Sequence, residues 1–463
     1  MEEVIAAYGE AQPEDEVLVQ PMLTDVVFSG VAFSHDPNTC APYRVVNWSE
    51  SSDTSTVTGG VGGRVWQQAA QSTLPNSPFM ASVIALLDEL LILFGNVPID
   101  FEFAGTREAD EEILWLLQAR PLVLSASPES EATQTARLKS IQRKVERGMQ
   151  PHPFLIGRRT VYGVMPDWNP AEIVGIRPKP LALSLYRDLV TDSIWAYQRD
   201  NYGYRNLRSF PLMPHFYGLP NIYVRLSFNS FIPASLEEGL AGRLVAYYID
   251  RLLAEPTLHD KVEFEVVFSC YTLDLPERME QLTEVGFSKN EQQVIASSLR
   301  DLTNRIVHSQ DGLWRRDAAK VDTLNERREQ LLASSAEPIE RIYWLLEDAK
   351  RYGTLPFAGL ARAGFIAVQM LKSLVAVGVF SQEDYEAFIG SVSTVSGQLS
   401  RDRANLDREA FLTRYGHLRP GTYEILSPRY DESPELYFDW NQQLPAPDPV
   451  KPCLLYTSDA ADE

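Results

Sequence analysis

The chain has 463 residues, 44% of them hydrophobic and 23% charged, an ordinary globular composition with room for two or three domains. Its formal net charge of −21 argues against a nucleic-acid backbone as partner, because phosphate binding needs clustered Lys and Arg. Three cysteines are too few for a disulfide scaffold, and no membrane span is expected, since the longest apolar run, Ser82 to Phe94, is interrupted by Asp88 and Glu89.

The acidity is uneven. Residues 1 to 124 hold eighteen Asp and Glu against four Arg and no Lys, whereas residues 125 to 452 carry a net charge of only −4. Cys40 and Cys270 read as free thiols in a reducing compartment, which makes the cytoplasm the expected location.

In chain order, Val17 to Val46 consists of short β-like runs broken by Gly30, Pro37 and Pro42, the pattern of an antiparallel sheet. Ser77 to Gly95 predicts a helix closed by Gly95 and Pro98. Ile99 to Phe103 then alternates apolar and acidic side chains, so a strand here puts Asp100 and Glu102 on one face and Phe101 and Phe103 on the other. After a polar turn, Ile113 to Leu117 leads to Gln118 and Arg120, again two apart. If the two strands pair, one face carries two carboxylates, an amide and a guanidinium. That set suits Mg²⁺ held by oxygen ligands with an arginine fork on phosphate oxygens. The same spacing also fits an ordinary half-exposed sheet with a surface salt bridge.

Ser125 to Ala132 is a Ser, Ala, Pro and Glu linker, and Thr133 to Arg147 a charged helix leading out of it. Beyond Gly157 the chain is expected to be mainly α, with amphipathic stretches at Leu236 to Ala254, Glu280 to Ser309, Val321 to Tyr352 and Ala358 to Val379. Arg225 and Asn229, in the alternating run Tyr223 to Phe231, either face a substrate or are satisfied polar groups on a strand edge. His417 and Arg419, in Tyr415-Gly416-His417-Leu418-Arg419-Pro420-Gly421, fit an anion or substrate contact, although a lone histidine is more often structural. The remaining histidines lack metal-ligand spacing.

Four segments, taken in order, resemble the phosphoenolpyruvate synthase and pyruvate phosphate dikinase family. Val17-Leu18-Val19-Gln20-Pro21-Met22 looks like its hinge strand, Ser29-Gly30-Val31-Ala32-Phe33-Ser34-His35-Asp36-Pro37 like its S-G-V-x-F-T-x-D-P element, and Asp53 to Gly60 like its V-x-G turn. Asp100-Phe101-Glu102 with Leu117-Gln118-Ala119-Arg120-Pro121 looks like the D-x-E and L-Q-x-R-P pair that closes its ATP-grasp site. Asp167 to Leu185 resembles the opening of that family's central domain, and the Gly416-His417 to Tyr430 segment resembles its end.

The resemblance implies an α+β chain. It comprises the C-terminal part of an ATP-grasp nucleotide-binding domain at 1–124, a linker and helix at 125–156, a mainly α-helical acceptor domain at 157–445 and a tail at 446–452. It further implies ATP and Mg²⁺ as cofactors, with Asp100, Glu102 and Gln118 holding the metal. Arg120 would neutralise phosphate charge, and the Gln20 to Met22 backbone would meet adenine. Family members pass a phosphoryl group from ATP to a mobile histidine and on to an acceptor, a covalent relay. No histidine here has that Gly-rich T-S-H context, so the relay histidine is expected on a further domain in cis. The segment before Val17 is short for the first half of an ATP-grasp domain, and Cys453 to Glu463 reads as an in-frame translated sequencing adapter. The expectation is therefore a piece of an ATP-dependent phosphotransferase, inactive alone, with an unknown small-molecule acceptor. The alternatives are a non-catalytic ATP-binding regulator and a helical scaffold with a degenerate lobe.

Overall fold

The computed structural model describes residues 21–50, 63–74, 76–108, 111–421, 423–424 and 426–440. The expectations for Val17 to Gln20, for Asp53 to Gly60 and for the last residues lie outside that range. The chain divides between Glu146 and Arg147 into two units. The first is built on one antiparallel sheet and the second is mainly helical, an α+β arrangement.

In the first unit, strands β1 (Val26–Phe33), β2 (Tyr43–Ser49), β3 (Arg64–Ala69), β4 (Ile99–Glu108) and β5 (Glu111–Pro121) pair in the order β3-β2-β1-β4-β5. Alternation decides which face is dry. Phe28, Ala32, Val46, Ile99, Phe101 and Phe103 form one core with Met80, Val83, Leu87, Leu90 and Leu91 of helix α1 (Pro78–Leu93). That helix starts where Ser77 Oγ accepts the Met80 N–H at 3.3 Å, with Pro78 at the first helical position where a missing N–H costs nothing. It stops at Gly95, whose φ of +69° suits a residue without Cβ.

Two strand glycines are packing requirements. A Cβ on Gly30 would lie 2.6 Å from Phe103 Cζ and 2.5 Å from the Asn47 carbonyl oxygen, and one on Gly105 would collide with the Phe28 ring. The glycine of the S-G-V element is therefore explained by the aromatic core it lies against.

Helix α2 (Glu131–Met149) crosses the division between the units. The second unit includes α3 (Ile194–Tyr202), α4 (Val224–Asn229), α5 (Glu238–Ala254), α6 (Lys289–Val307), α7 (Leu313–Ala333), α8 (Pro338–Asp348) and α9 (Leu355–Ala376), with further helices such as Pro180–Tyr186 before them and Gln382–Ser391, Val395–Asn405 and Arg408–Tyr415 after them. Three expected spans change. Glu280 to Ser309 is broken at Gly286, φ +85°, and α6 restarts with a capping box in which Ser288 and Glu291 exchange bonds. Val321 to Tyr352 is split between Ala333 and Pro338, whose ring starts α8. The Tyr223 to Phe231 run is helical over Val224–Asn229, where all six residues are buried, so no face of the segment is left for a solvent-exposed strand alternation.

One stretch among the described residues, Pro338–Ala376, is long and apolar enough to cross a membrane by length and composition. Within this unit its Asp348 and Arg362 are buried and ion-paired, to Arg327 at 2.7 Å and to Glu263 at 2.8 Å.

Candidate functional site

Strands β4 and β5 pair in the register that sets Asp100 opposite Arg120 and Glu102 opposite Gln118. Directly opposed residues share a face, so all four side chains stand together on the side of the sheet away from α1. A register irregularity follows immediately, between Glu102 and Phe103. Beyond it Leu114 is returned to the core side.

Asp100 is 6% exposed and accepts from Arg120 Nε at 2.8 Å, while the Arg120 side chain is 60% exposed. The hydrogen bond and charge of Asp100, with a smaller contribution from Glu102, raise the guanidinium pKa above its ordinary value. Arg120 is thus anchored through Nε, and its two outer nitrogens make no hydrogen bond among the described residues. Asp100, Glu102 and Gln118 present hard oxygen donors of the type Mg²⁺ takes. Among the described residues no group of three His, Cys, Asp or Glu lies close enough to hold a metal, so the set depends on the Gln118 amide as its third member.

Asn47 belongs to this face and sequence reasoning missed it. It pairs with Val31 on β2–β1, and Val31 in turn pairs with Glu102. Its buried Oδ1 has no hydrogen-bond partner among the described residues. The available signal was an amide inside the otherwise apolar run Val45-Val46-Asn47-Trp48. Met22, the described end of the hinge-like run, is 93% exposed, and Gln20 lies outside the described residues.

The S-G-V-like element turns after β1. Ser34 Oγ accepts the Ile99 N–H at 2.8 Å, and Asp36 closes the turn by accepting from Asn38 N at 2.9 Å and Thr39 Oγ1 at 2.6 Å. Burial, then the Arg44 charge, lower the His35 pKa.

In the helical unit, Arg225 and Asn229 lie one turn apart on α4 rather than on a strand edge. Arg225 is 2% exposed and donates to the Gly157 carbonyl at 2.7 Å, to Gln150 O at 3.2 Å and to Tyr223 Oη. Asn229 accepts from Ile156 N at 2.9 Å and donates to Ile156 O at 3.0 Å, mimicking a strand neighbour for that residue. Most of their polar atoms are engaged within the protein, chiefly with the Gln150 to Gly157 segment, while the buried Arg225 Nε has no hydrogen-bond partner among the described residues. His417 is exposed on the turn after helix Arg408–Tyr415, and Arg419 lies 3.9 Å from Glu432. Gly416 is needed there because a Cβ would meet Leu412 O at 2.3 Å.

The Asp167-Trp168-Asn169-Pro170 segment supplies a polar centre that the sequence did not announce. Asn169 caps the turn Pro170–Ile173, and the Trp168 carbonyl accepts from Tyr186 Oη at 2.6 Å. Asp167 accepts from Arg199 at 2.9 Å and Ser227 Oγ at 2.7 Å. Glu263, on the π-helical turn Val262–Val266, meets Arg362 at 2.8 Å and Arg199 at 3.5 Å, and all four charges are buried. Burial pushes the Glu263 carboxyl up to about 7 against the pull of Arg199.

No protein-family model matches the chain, and no curated protein matches it.

Proposed function

We propose that the sheet unit is the closing part of an ATP-grasp nucleotide-binding lobe and that its parent is an ATP-dependent phosphotransferase of the reducing cytoplasm. Asp100, Glu102 and Gln118 would hold Mg²⁺, which when bound screens the charge of a triphosphate. Arg120, fixed by Asp100 through Nε, directs its outer nitrogens to phosphate oxygens as a bidentate fork. The acceptor is a small molecule, and a histidine on a further domain would relay the phosphoryl group to it.

The observation that carries the reading is the cross-strand register, which puts two carboxylates, an amide and a guanidinium held through Nε on one sheet face. The resemblance of the motifs supplies the identity of the ligand. A purely structural hairpin would hold the same Asp100–Arg120 pair, and nucleotide binding separates the two readings.

The test is calorimetric titration of the chain with ATP, with and without Mg²⁺. Weak, Mg²⁺-dependent binding is expected, lowered about tenfold or more by Arg120→Ala and by Glu102→Ala, the loss of one charge-assisted contact. Equal affinity in wild type and both variants would assign the hairpin to structure alone.

A further inference from the structure

We propose that the helical unit carries a ligand site of its own, a cleft of about 360 Å³ that takes a small organic acid bearing a hydroxyl or ammonium group. It uses residues of the helical unit only, and stands whether or not the sheet unit binds nucleotide. Its volume falls within the range of small-molecule sites.

Arg251 comes from the last turn of α5, Arg278 from the short helix Leu275–Arg278 and Lys372 from α9, and all three line the cleft. Among the described residues none of them makes an ion pair. Elsewhere in the unit Arg159, Arg187, Arg208, Arg243, Arg327 and Lys350 have a carboxylate partner, whereas Arg315 and Arg341 bond only backbone carbonyls, so what distinguishes Arg251, Arg278 and Lys372 is that they share one cleft. With Glu265 and Asp274 also lining it, the cleft carries three cations against two carboxylates, a small positive excess in a chain with 63 acidic residues.

Uncharged groups aim these cations. Arg278 donates to the Phe264 carbonyl at 3.0 Å, Arg251 donates to Gln281 Oε1 at 3.2 Å, and Gln281 donates back to Arg278 O at 2.7 Å. Lys372 Nζ lies 5.6 Å from the centre of the Phe264 ring. The guanidinium groups are therefore oriented without being neutralised, an arrangement suited to a ligand carboxylate.

The cleft is not simply an anion trap. Asp274 and Glu265 also line it, again without ion pairs among the described residues. Asp274 Oδ1 is buried and has no hydrogen-bond partner there. A buried, unsatisfied carboxylate oxygen is costly, and a donor on the ligand would satisfy it. An anion alone would leave that oxygen as it is, which is why the ligand must carry a hydroxyl or ammonium group as well.

The experiment titrates the full chain with L-malate, L-aspartate and succinate, which share two carboxylates and differ by one donor. Saturable binding of malate or aspartate is expected, about tenfold or more tighter than succinate, because succinate leaves the acceptor unpaired. Lys372→Gln and Arg251→Gln should each weaken that binding about tenfold, and Asp274→Ala, which removes the acceptor, should erase the preference over succinate. A measurement on the unmodified protein runs beside these variants: bound malate or aspartate should protect Lys372 from acylation, read by peptide mass spectrometry. Absence of saturable binding by both donors, or binding without protection of Lys372, overturns the proposal.

Discussion

Asn229 shows how a side chain that looks available in sequence is consumed by folding. With 0% exposure, its amide pairs with both backbone groups of Ile156 and also donates to Arg225 O at 2.8 Å. Asn229→Ala would leave the Ile156 N–H and C=O unpaired in a dry core, for a loss of about 2–4 kcal/mol in urea denaturation. Nucleotide affinity of the sheet unit should not change, and a fall in that affinity at full stability would give Asn229 a role it lacks here. The contrast with Arg120 is instructive. Both positions follow an alternating run, and only burial separates a spent polar group from one 60% exposed with one nitrogen engaged. Burial depends on what covers a strand or helix, and that covering comes from elsewhere in the chain.

At the scale of elements, β4 joins the core to the candidate site. Phe101 and Phe103 point into the core while Asp100 and Glu102, one residue away, point out. Gly30→Ala should therefore act on both. The new Cβ would push on Phe103, with an overpacking loss of about 1–3 kcal/mol. Hydrogen exchange along β4 should speed up, and ATP affinity should fall with it; unchanged exchange would mean that the ring swings aside freely. The hairpin was legible in sequence because period-two alternation is a local property. The helix breaks were legible too, in Ser288-Lys289-Asn290-Glu291 and in Pro338, and longer amphipathic spans concealed them. The short helix Val224–Asn229 was not, because its strand-like alternation is overridden by burial on every side.

At the scale of the whole helical unit, the buried network links segments that are far apart in the chain, from Asp167 through Arg199 and Glu263 to Arg362. Desolvation raises the Glu263 pKa from the 4.5 it has in the unfolded chain to about 7 in the folded one. The folded state thus holds that proton more tightly. The stability this gives is fully present below the unfolded value and is lost as pH rises through the folded one. Between about pH 5 and 7 wild-type stability should fall by at most about 1.4 kcal/mol per pH unit from this group, and Glu263→Gln should flatten that limb. Parallel melting profiles for the two proteins would remove Glu263 as the titrating group.

The sequence alone determined what depends on neighbours along the chain. The alternation on β4 and β5, the caps and breakers of α1 and the placement of the acidity in the first 124 residues all follow from side chains a few positions apart. The tertiary structure decided which polar groups remain available. It turned Arg225 and Asn229 inward, closed Asp167, Arg199, Glu263 and Arg362 into one dry network, and brought Arg251, Arg278 and Lys372 to a single cleft. Such groupings depend on which distant segments cover one another, and local periodicity carries no record of that.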